Sequence, residues 1–398
     1  MDTRSVCSRT AAVVRTVRAL RPPPDVVALQ EVSTADVYGE GASSFEVLRS
    51  GLCGGEGGGR TTGVEKPPGT VAAIPSLRYL LAEEVWPLPS GAPPPPYAAA
   101  RPPPYFTLLL VREGAFVGAP ASGDDGVTRT PFPGSRMGRD LLTLTATVRV
   151  ADADTDADTN DGANPPAGVG DGDGNGVGVG GDGSGGDGGG GGGGGAPARR
   201  PPLRVAVATA HLESTANPTA TAERRSQLRT ITTALNAAAE TGAAAVWGGD
   251  GNLRAADVSA TLVRKVVSEE EAQPPKRYMS AAGGDVRLSD AFVQAGSPAA
   301  AAYTWDTSVN DNKHFPDAAY TPRARFDRVL TTGPPGCRPI TEHLSLVGTA
   351  RVGGGVFPSD HWGVCVDLLL PLPPLSPATG GGGGGGGRRA ASRVKKSP

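Results

Sequence analysis

Short apolar runs cut by glycine and proline recur along the chain. DVVALQEV (25–32) reads as a buried strand that ends in two polar residues, Gln30 and Glu31. YFTLLLVRE (105–113) and LLTLTATVRV (141–150) are rich in strand formers, and the second alternates polar with apolar positions. LRVAVATAHLEST (203–215) predicts a strand that runs into a polar cluster. AAAVWGGD (243–250) predicts another, and because glycine weakens a strand interior, Gly248 and Gly249 should mark its end. ARFDRVLTT (324–332) and HWGVCVDLLL (361–370) complete the set of strands. Helical spacing is clearest in TAERRSQLRTITTALNAAAE (221–240), where Leu228, Ile231, Leu235 and Ala238 share a face. Residues 4–20 carry a looser stripe of Val6, Ala12, Val13, Val17 and Leu20; they are also Arg-rich and acid-poor, as transit peptides are. Strands alternating with helices or loops predict an α/β class.

Composition separates this framework from what interrupts it. Gly 59 and Pro 38 of 398 residues approach the low-complexity range, and they are clustered. Residues 151–200 contain almost no apolar side chains and cannot offset their ordering entropy, which predicts a disordered insert. Residues 51–70 and 87–104 read as further low-complexity inserts, the latter as polyproline linker, and 372–398 as a glycine-rich tail with a basic end. What remains of 4–371 amounts to about 250 residues, suited to a single large domain. A net charge of −2 gives no global basic signature, so a nucleic-acid ligand would have to be held by a local patch. Cys7, Cys53, Cys337 and Cys365 form no CxxC pair, which argues against zinc and for free thiols. No apolar run is long enough to span a membrane.

Polar residues at strand ends carry the candidate chemistry, since open α/β sheets bind ligands there. Asp250 and Asn252 lie two apart, and in an extended segment they would point the same way, a carboxylate beside an amide. The plain alternative is an Asx-type turn after a strand. Of four histidines, His211 follows a strand and His361 precedes one, whereas His314 and His343 read as surface residues. Asp360 is adjacent to His361 and would face the opposite way on a strand, so Asp327 is the better partner for that imidazole. Glu31 alone could be a surface charge. Carboxylates, an amide and imidazoles without a cysteine cluster suit a hard cation such as Mg²⁺, with Mn²⁺ as substitute, and metal-assisted phosphodiester hydrolysis uses all of these groups.

Six motifs stand in order: LQEV, TAHLEST, GGDGNLR, TWDT, RFDRVL and PSDHWG. Together they resemble the endonuclease/exonuclease/phosphatase superfamily. Within it they are most similar to the type 2 tyrosyl-DNA phosphodiesterases, a branch to which PFPGSRMGRDLLT (131–143) and YTWDTSVNDN (303–312) look specific. The resemblance implies a four-layer α/β sandwich of two mixed sheets flanked by helices, with the site at one edge. It implies Glu31 as principal Mg²⁺ ligand with Asp360 near the metal, and Asp250 as the residue that positions and deprotonates water. Asn252 would hold that water or the phosphate. His211, Ser214 and His361 would donate to phosphate oxygens, Asp327 would orient His361, and Arg254 and Trp305 would face the substrate. The implied partner is a single-stranded or frayed 5′ DNA end carrying a tyrosyl or peptide adduct, and the implied protein is a nuclear monomer. Two departures stand out. Gly251 replaces the usual Thr or Leu. The superfamily's first strand, which ends in a Trp-Asn-type motif, has no counterpart before Gln30, so the expected fold lacks that strand, and residues 4–20 then read as a domain helix. The alternatives are another enzyme of the superfamily, such as an abasic-site endonuclease, deadenylase or inositol-phosphate phosphatase, and a catalytically weak DNA-end-binding protein.

Overall fold

The computed structural model describes residues 6–35, 42–54, 77–86, 88–99, 103, 105–117, 125–149, 202–254, 262–264, 278–280, 288–313, 315, 321–334, 337–352 and 355–372. They belong to one compact unit made of Met1–Arg149 and Pro202–Pro373. The insert 151–200, all of 55–70 and the tail beyond Leu372 lie outside the described residues, as does His314.

The chain is an α/β fold with several sheets and flanking helices. The largest sheet has six strands in the order β10-β13-β7-β6-β5-β4, formed by Ser289–Asp290, Asp327–Thr332, Ala244–Asp250, Arg204–Ala210, Asp140–Thr147 and Gly126–Pro131. It is mixed, because β6 and β7 run parallel while its other neighbours are antiparallel. A second sheet, β1-β3-β2, holds Val26–Val32, Phe106–Arg112 and Tyr79–Leu81 and is antiparallel throughout, so it is not the second mixed sheet expected. Two-stranded pairs join β8 (Leu262–Arg264) to β9 (Tyr278–Ser280), β11 (Trp305–Asp306) to β12 (Arg323–Ala324), and β14 (Ile340–Val347) to β15 (Gly363–Leu369).

Three of the five apolar clusters among the described residues join the helices to the two larger sheets. Helix α1 (Val6–Ala19) and helix α2 (Ser44–Cys53) bury Val14, Val17, Phe45, Leu48 and Leu52 with Tyr79, Leu81, Leu108 and Leu110 of the three-stranded sheet. In α1, Val14 is buried more deeply than the predicted Val13. Leu109 and Val111 of β3 pack with Val127, Leu142 and Leu144 of β4 and β5, so the two large sheets share a core. Helix α3 (Pro218–Glu240) lays Leu228, Ile231 and Leu235 on Ala206, Ala208, Ala245 and Trp247. Each such aliphatic side chain contributes about 1.5–3 kcal/mol on burial.

Several boundaries differ from the sequence reading. Helix α3 begins at Pro218, where Asn217 caps it by accepting from Ala220 N and proline occupies the first turn. Helix α2 opens with a capping box between Ser43 and Glu46, and its last turn, with fully buried Leu52, occupies the start of the insert read as 51–70. The segment 87–104 is more than a linker: Tyr97 stacks on Phe45 at 4.9 Å. Strand β1 is half-buried, since it lies at an edge of its sheet. The glycines do not end β7. It continues to Asp250, which pairs with Asp327, and Gly249 is needed because a Cβ there would lie 2.3 Å from Ala210 O. The four cysteines are free thiols, and no described helix is long and apolar enough to cross a membrane.

Candidate active site

The site forms where β1, β6, β7 and β13 deliver their polar ends. Strand β1 supplies Glu31 at an irregularity in its pairing with β3, between Leu29 and Val32. Glu31 has φ 57, a left-handed conformation that bulges use to re-aim a side chain. Gln30 meanwhile donates to Thr209 Oγ1 at 3.0 Å and ties β1 to β6. Strand β6 leads directly to His211, whose side chain is 5% exposed and lies between two carboxylates. His211 Nδ1 is 3.5 Å from Glu31 Oε1 and makes no hydrogen bond; Nε2 is 3.3 Å from Asp250 Oδ2 and 3.1 Å from Asn252 Nδ2.

Asp250 closes β7, and the chain then turns. Asn252 N donates to Asp250 Oδ1 at 2.8 Å and Asn252 has φ 45, so these two residues form an Asx turn and not the extended pair anticipated. The turn still brings both groups to His211, with Asn252 Nδ2 also donating to Leu212 O. Gly251 N donates to Phe326 O, which fastens the turn beside β13. There Asp327 Oδ2 lies 2.8 Å from His361 Nδ1. The imidazole is therefore oriented by the carboxylate from another strand.

Charges are compressed in this corner. Burial first, and then Asp327, raise the Asp250 carboxyl to about 7, opposed by His361. Burial works against protonation of His361, but Asp327, Asp250 and Asp360 outweigh it and raise the imidazole to about 10. Glu31 is raised by desolvation, and further by Asp360 and Asp250, against the pull of Arg139. Convergent carboxylates with one cation 3.9 Å away, Arg139, form a hard-oxygen donor set that fits a divalent ion. Asp250, Asp327 and His361 also bring ligand atoms within 4.8 Å of one another, a cluster able to hold a divalent metal only with the His361 ring deprotonated. It differs from the Glu31 and Asp360 pair expected from the sequence.

Of the other anticipated residues, Trp305 joins the corner through its ring, 6.4 Å from that of His361 and 5.5 Å from that of Phe326. Ser214 Oγ donates to Met137 Sδ at 3.3 Å, the sulfur that Arg139 also contacts at 3.5 Å. Arg254 is exposed where the described turn ends, and His343 is exposed on β14. Sequence reasoning missed Arg139 and Glu213. Ser135 Oγ donates to the buried Glu213 at 2.8 Å and accepts from Arg139 N at 3.0 Å, linking the loop after β6 to the turn that delivers Arg139. Both lie in motifs already singled out, PFPGSRMGRDLLT and TAHLEST.

No protein-family model matches the chain. Tyrosyl-DNA phosphodiesterase 2 of Xenopus laevis is 34% identical over 164 residues, which cover 41% of this chain and 37% of that protein. The Danio rerio and Homo sapiens proteins of the same name are 32% and 30% identical over 162 and 166 residues. The crystal structure of D. rerio TDP2 complexed with single strand DNA product superposes with a TM-score of 0.54 at 20% identity, covering 93% of this chain and 94% of that one. The chain therefore shares the fold of that structure. In sequence its likeness is to these TDP2 proteins, and the aligned part spans only 37–38% of the three curated relatives' length.

Proposed function

We propose that the protein is a divalent-metal-dependent phosphodiesterase that cleaves the 5′-phosphotyrosyl bond between a protein adduct and a DNA end, in nuclear DNA repair. The observation that carries the reading is the convergence of Glu31, His211, Asp250, Asn252 and the Asp327–His361 pair at one corner. The relatives' name and the single-stranded DNA product held by the D. rerio protein support the choice of substrate. The four-layer sandwich of the superfamily is the fold we adopt with it, supported by the core shared between the two large sheets and the helices outside them.

The geometry supports the following roles. Asp250, with its carboxyl raised to about 7, is poised to take a proton from an attacking water near neutral pH. Asn252, fixed by its backbone bond to Asp250, places its side-chain amide 3.1 Å from His211 Nε2, where it would hold the attacking water or the phosphate. His361, kept protonated by Asp327, donates to a non-bridging phosphate oxygen as charge builds there. His211 Nδ1, buried and without a hydrogen bond, faces Glu31 and the phosphate. Glu31 and Asp360 would hold the Mg²⁺, which would supply charge neutralisation at the phosphate. Trp305 offers a ring face to a base at the strand end, with Lys313 5.9 Å from its centroid.

The test is release of tyrosine from a 5′-phosphotyrosyl oligonucleotide in the presence and absence of Mg²⁺. Asp250→Asn should lower turnover by about 10²-fold or more, the scale for loss of a positioned base. Glu31→Gln should weaken the metal dependence. Normal turnover by Asp250→Asn would remove the assigned base. Cleavage of an abasic-site duplex in preference to the tyrosyl substrate would point to another branch of the superfamily.

A further inference from the structure

Asp327 and His361 belong to separate segments, and each needs to be held for their 2.8 Å contact to persist. One residue reaches both. Thr304 is 1% exposed. Its Oγ1 accepts from Phe326 N at 3.1 Å and from Asp327 N at 3.0 Å. Its carbonyl accepts from Trp362 N at 2.7 Å. One end of this residue therefore fixes the backbone of the carboxylate, and the other fixes the backbone next to the imidazole. Both hydroxyl lone pairs are committed to backbone donors, an arrangement that a methyl group of the same size cannot reproduce.

The segment that follows extends the hold. Trp305 and Asp306 pair with Ala324 and Arg323, just ahead of Asp327. Buried Asn310 then donates through Nδ2 to Ser359 O at 2.9 Å. Asn312 Nδ2 donates to Phe357 O at 2.7 Å and to Ser359 O at 3.1 Å, and its Oδ1 accepts from Phe357 N at 3.0 Å. The loop that carries Asp360 and His361 is thus fastened by amide side chains on one flank and by the Thr304 carbonyl on the other.

We propose that Thr304 is a positioning residue for the Asp327–His361 pair, with Asn310 and Asn312 completing a bracket that spans Thr304–Asn312. Thr304 does not touch substrate. It acts by keeping the imidazole aimed by the carboxylate. The proposal rests on the phosphodiesterase reading of that pair only for its kinetic consequence.

Two readouts test it. The first is independent of substrate: the low-field proton NMR resonance of the His361 ring N–H bonded to Asp327, assigned by its absence in His361→Gln. It should be lost or broadened in Thr304→Val and kept in Thr304→Ser, with both proteins folded at the measuring temperature. The second is turnover of the 5′-phosphotyrosyl oligonucleotide. Thr304→Val should lower kcat by about 10²-fold, the scale for misplacing a reacting group by 1 Å, with KM unchanged. Thr304→Ser should restore it, and Thr304→Val placed on His361→Gln should cost nothing further. Asn312→Ala, which releases the loop without touching the buried threonine, should show the same non-additivity and serves if Thr304→Val does not fold. A wild-type resonance in folded Thr304→Val, or full additivity with His361→Gln, would overturn the proposal. If wild-type protein releases no tyrosine but the resonance follows this pattern, the functional reading fails while the positioning role stands.

Discussion

The two glycines before Asp250 have opposite tolerances. At Gly249 a Cβ would lie 2.3 Å from Ala210 O, whereas ordinary contact begins at 3.4 Å. The shortfall is about 1 Å, and the obstacle is backbone, so it cannot rotate away. Gly249→Ala must push the end of β6 from the end of β7. The next groups along are Leu212 N and Asp250 O, hydrogen-bonded at 2.8 Å, and His211 Nε2 and Asp250 Oδ2, 3.3 Å apart. Overpacking of this kind costs about 1–3 kcal/mol, or several degrees in Tm. Displacement of a reacting group by 1 Å costs about 10²-fold in rate. At Gly248 the new Cβ would meet only Val329 Cγ2, at 3.7 Å, which is ordinary contact. Gly248→Ala should therefore match the wild type within about two-fold and hold or raise Tm, since alanine loses less entropy on ordering. The assay is a thermal melt beside tyrosine release for both variants. A Gly249→Ala protein with wild-type Tm and turnover, or a Gly248→Ala protein with the larger loss, would show that the Ala210 contact does not set the spacing of β6 and β7.

Other expectations follow from the buried charges. His361 is raised from 6.5 to about 10, so its stabilisation of the fold is complete below 6.5 and is lost as the pH rises through 10. In chelator, the Tm advantage of wild type over Asp327→Asn should shrink across that range; an advantage that grows with pH would contradict the pairing. Mg²⁺ should raise Tm, and more so as the pH rises through 7, where Asp250 gives up its proton; Glu31→Gln should lose most of the increment in the same melt. Arg129, 6% exposed, bridges Glu83 and Asp140. Arg129→Met strands those carboxylates and should cost about 3–5 kcal/mol in urea unfolding. Ser43→Ala removes a capping-box hydroxyl and should cost about 1 kcal/mol by the same method.

The sequence was legible where local pattern and strand geometry agree. Alternation made Asp360 a poor orienter of His361 and left Asp327, from a different strand, as the better candidate; the structure places Asp327 2.8 Å from that ring, although Asp360 and His361 lie in a bend ahead of β15 and not on a strand. The residues of the corner arise at strand ends, where apolar runs stop and polar clusters begin. Illegibility has particular causes. The Asp250–Asn252 pair was read as extended because a two-residue spacing cannot distinguish a strand from an Asx turn with φ 45. Strand β14 was missed because its pairing slips between Thr341 and His343, which breaks the alternation. Helix α2 had a visible capping box, but ten residues carrying an internal Gly51 gave little periodicity. Arg139 reaches Glu31 only through the meeting of two sheets, and no spacing along the chain encodes such a meeting.

That meeting gives the molecule a further property. Glu31 comes from the three-stranded sheet, and Asp250 and Asp327 from the six-stranded one. A cut between Arg149 and Pro202 would leave Glu31 and Arg139 on one piece and His211, Asp250, Asn252, Asp327 and His361 on the other. Neither half holds a working complement of groups. They can recover it only by re-forming the β5–β6 ladder, from Leu141 opposite Ala210 to Thr147 opposite Arg204. On the phosphodiesterase reading proposed above, turnover by such a pair would count reunions of the two pieces, a complementation reporter that is silent when they are apart.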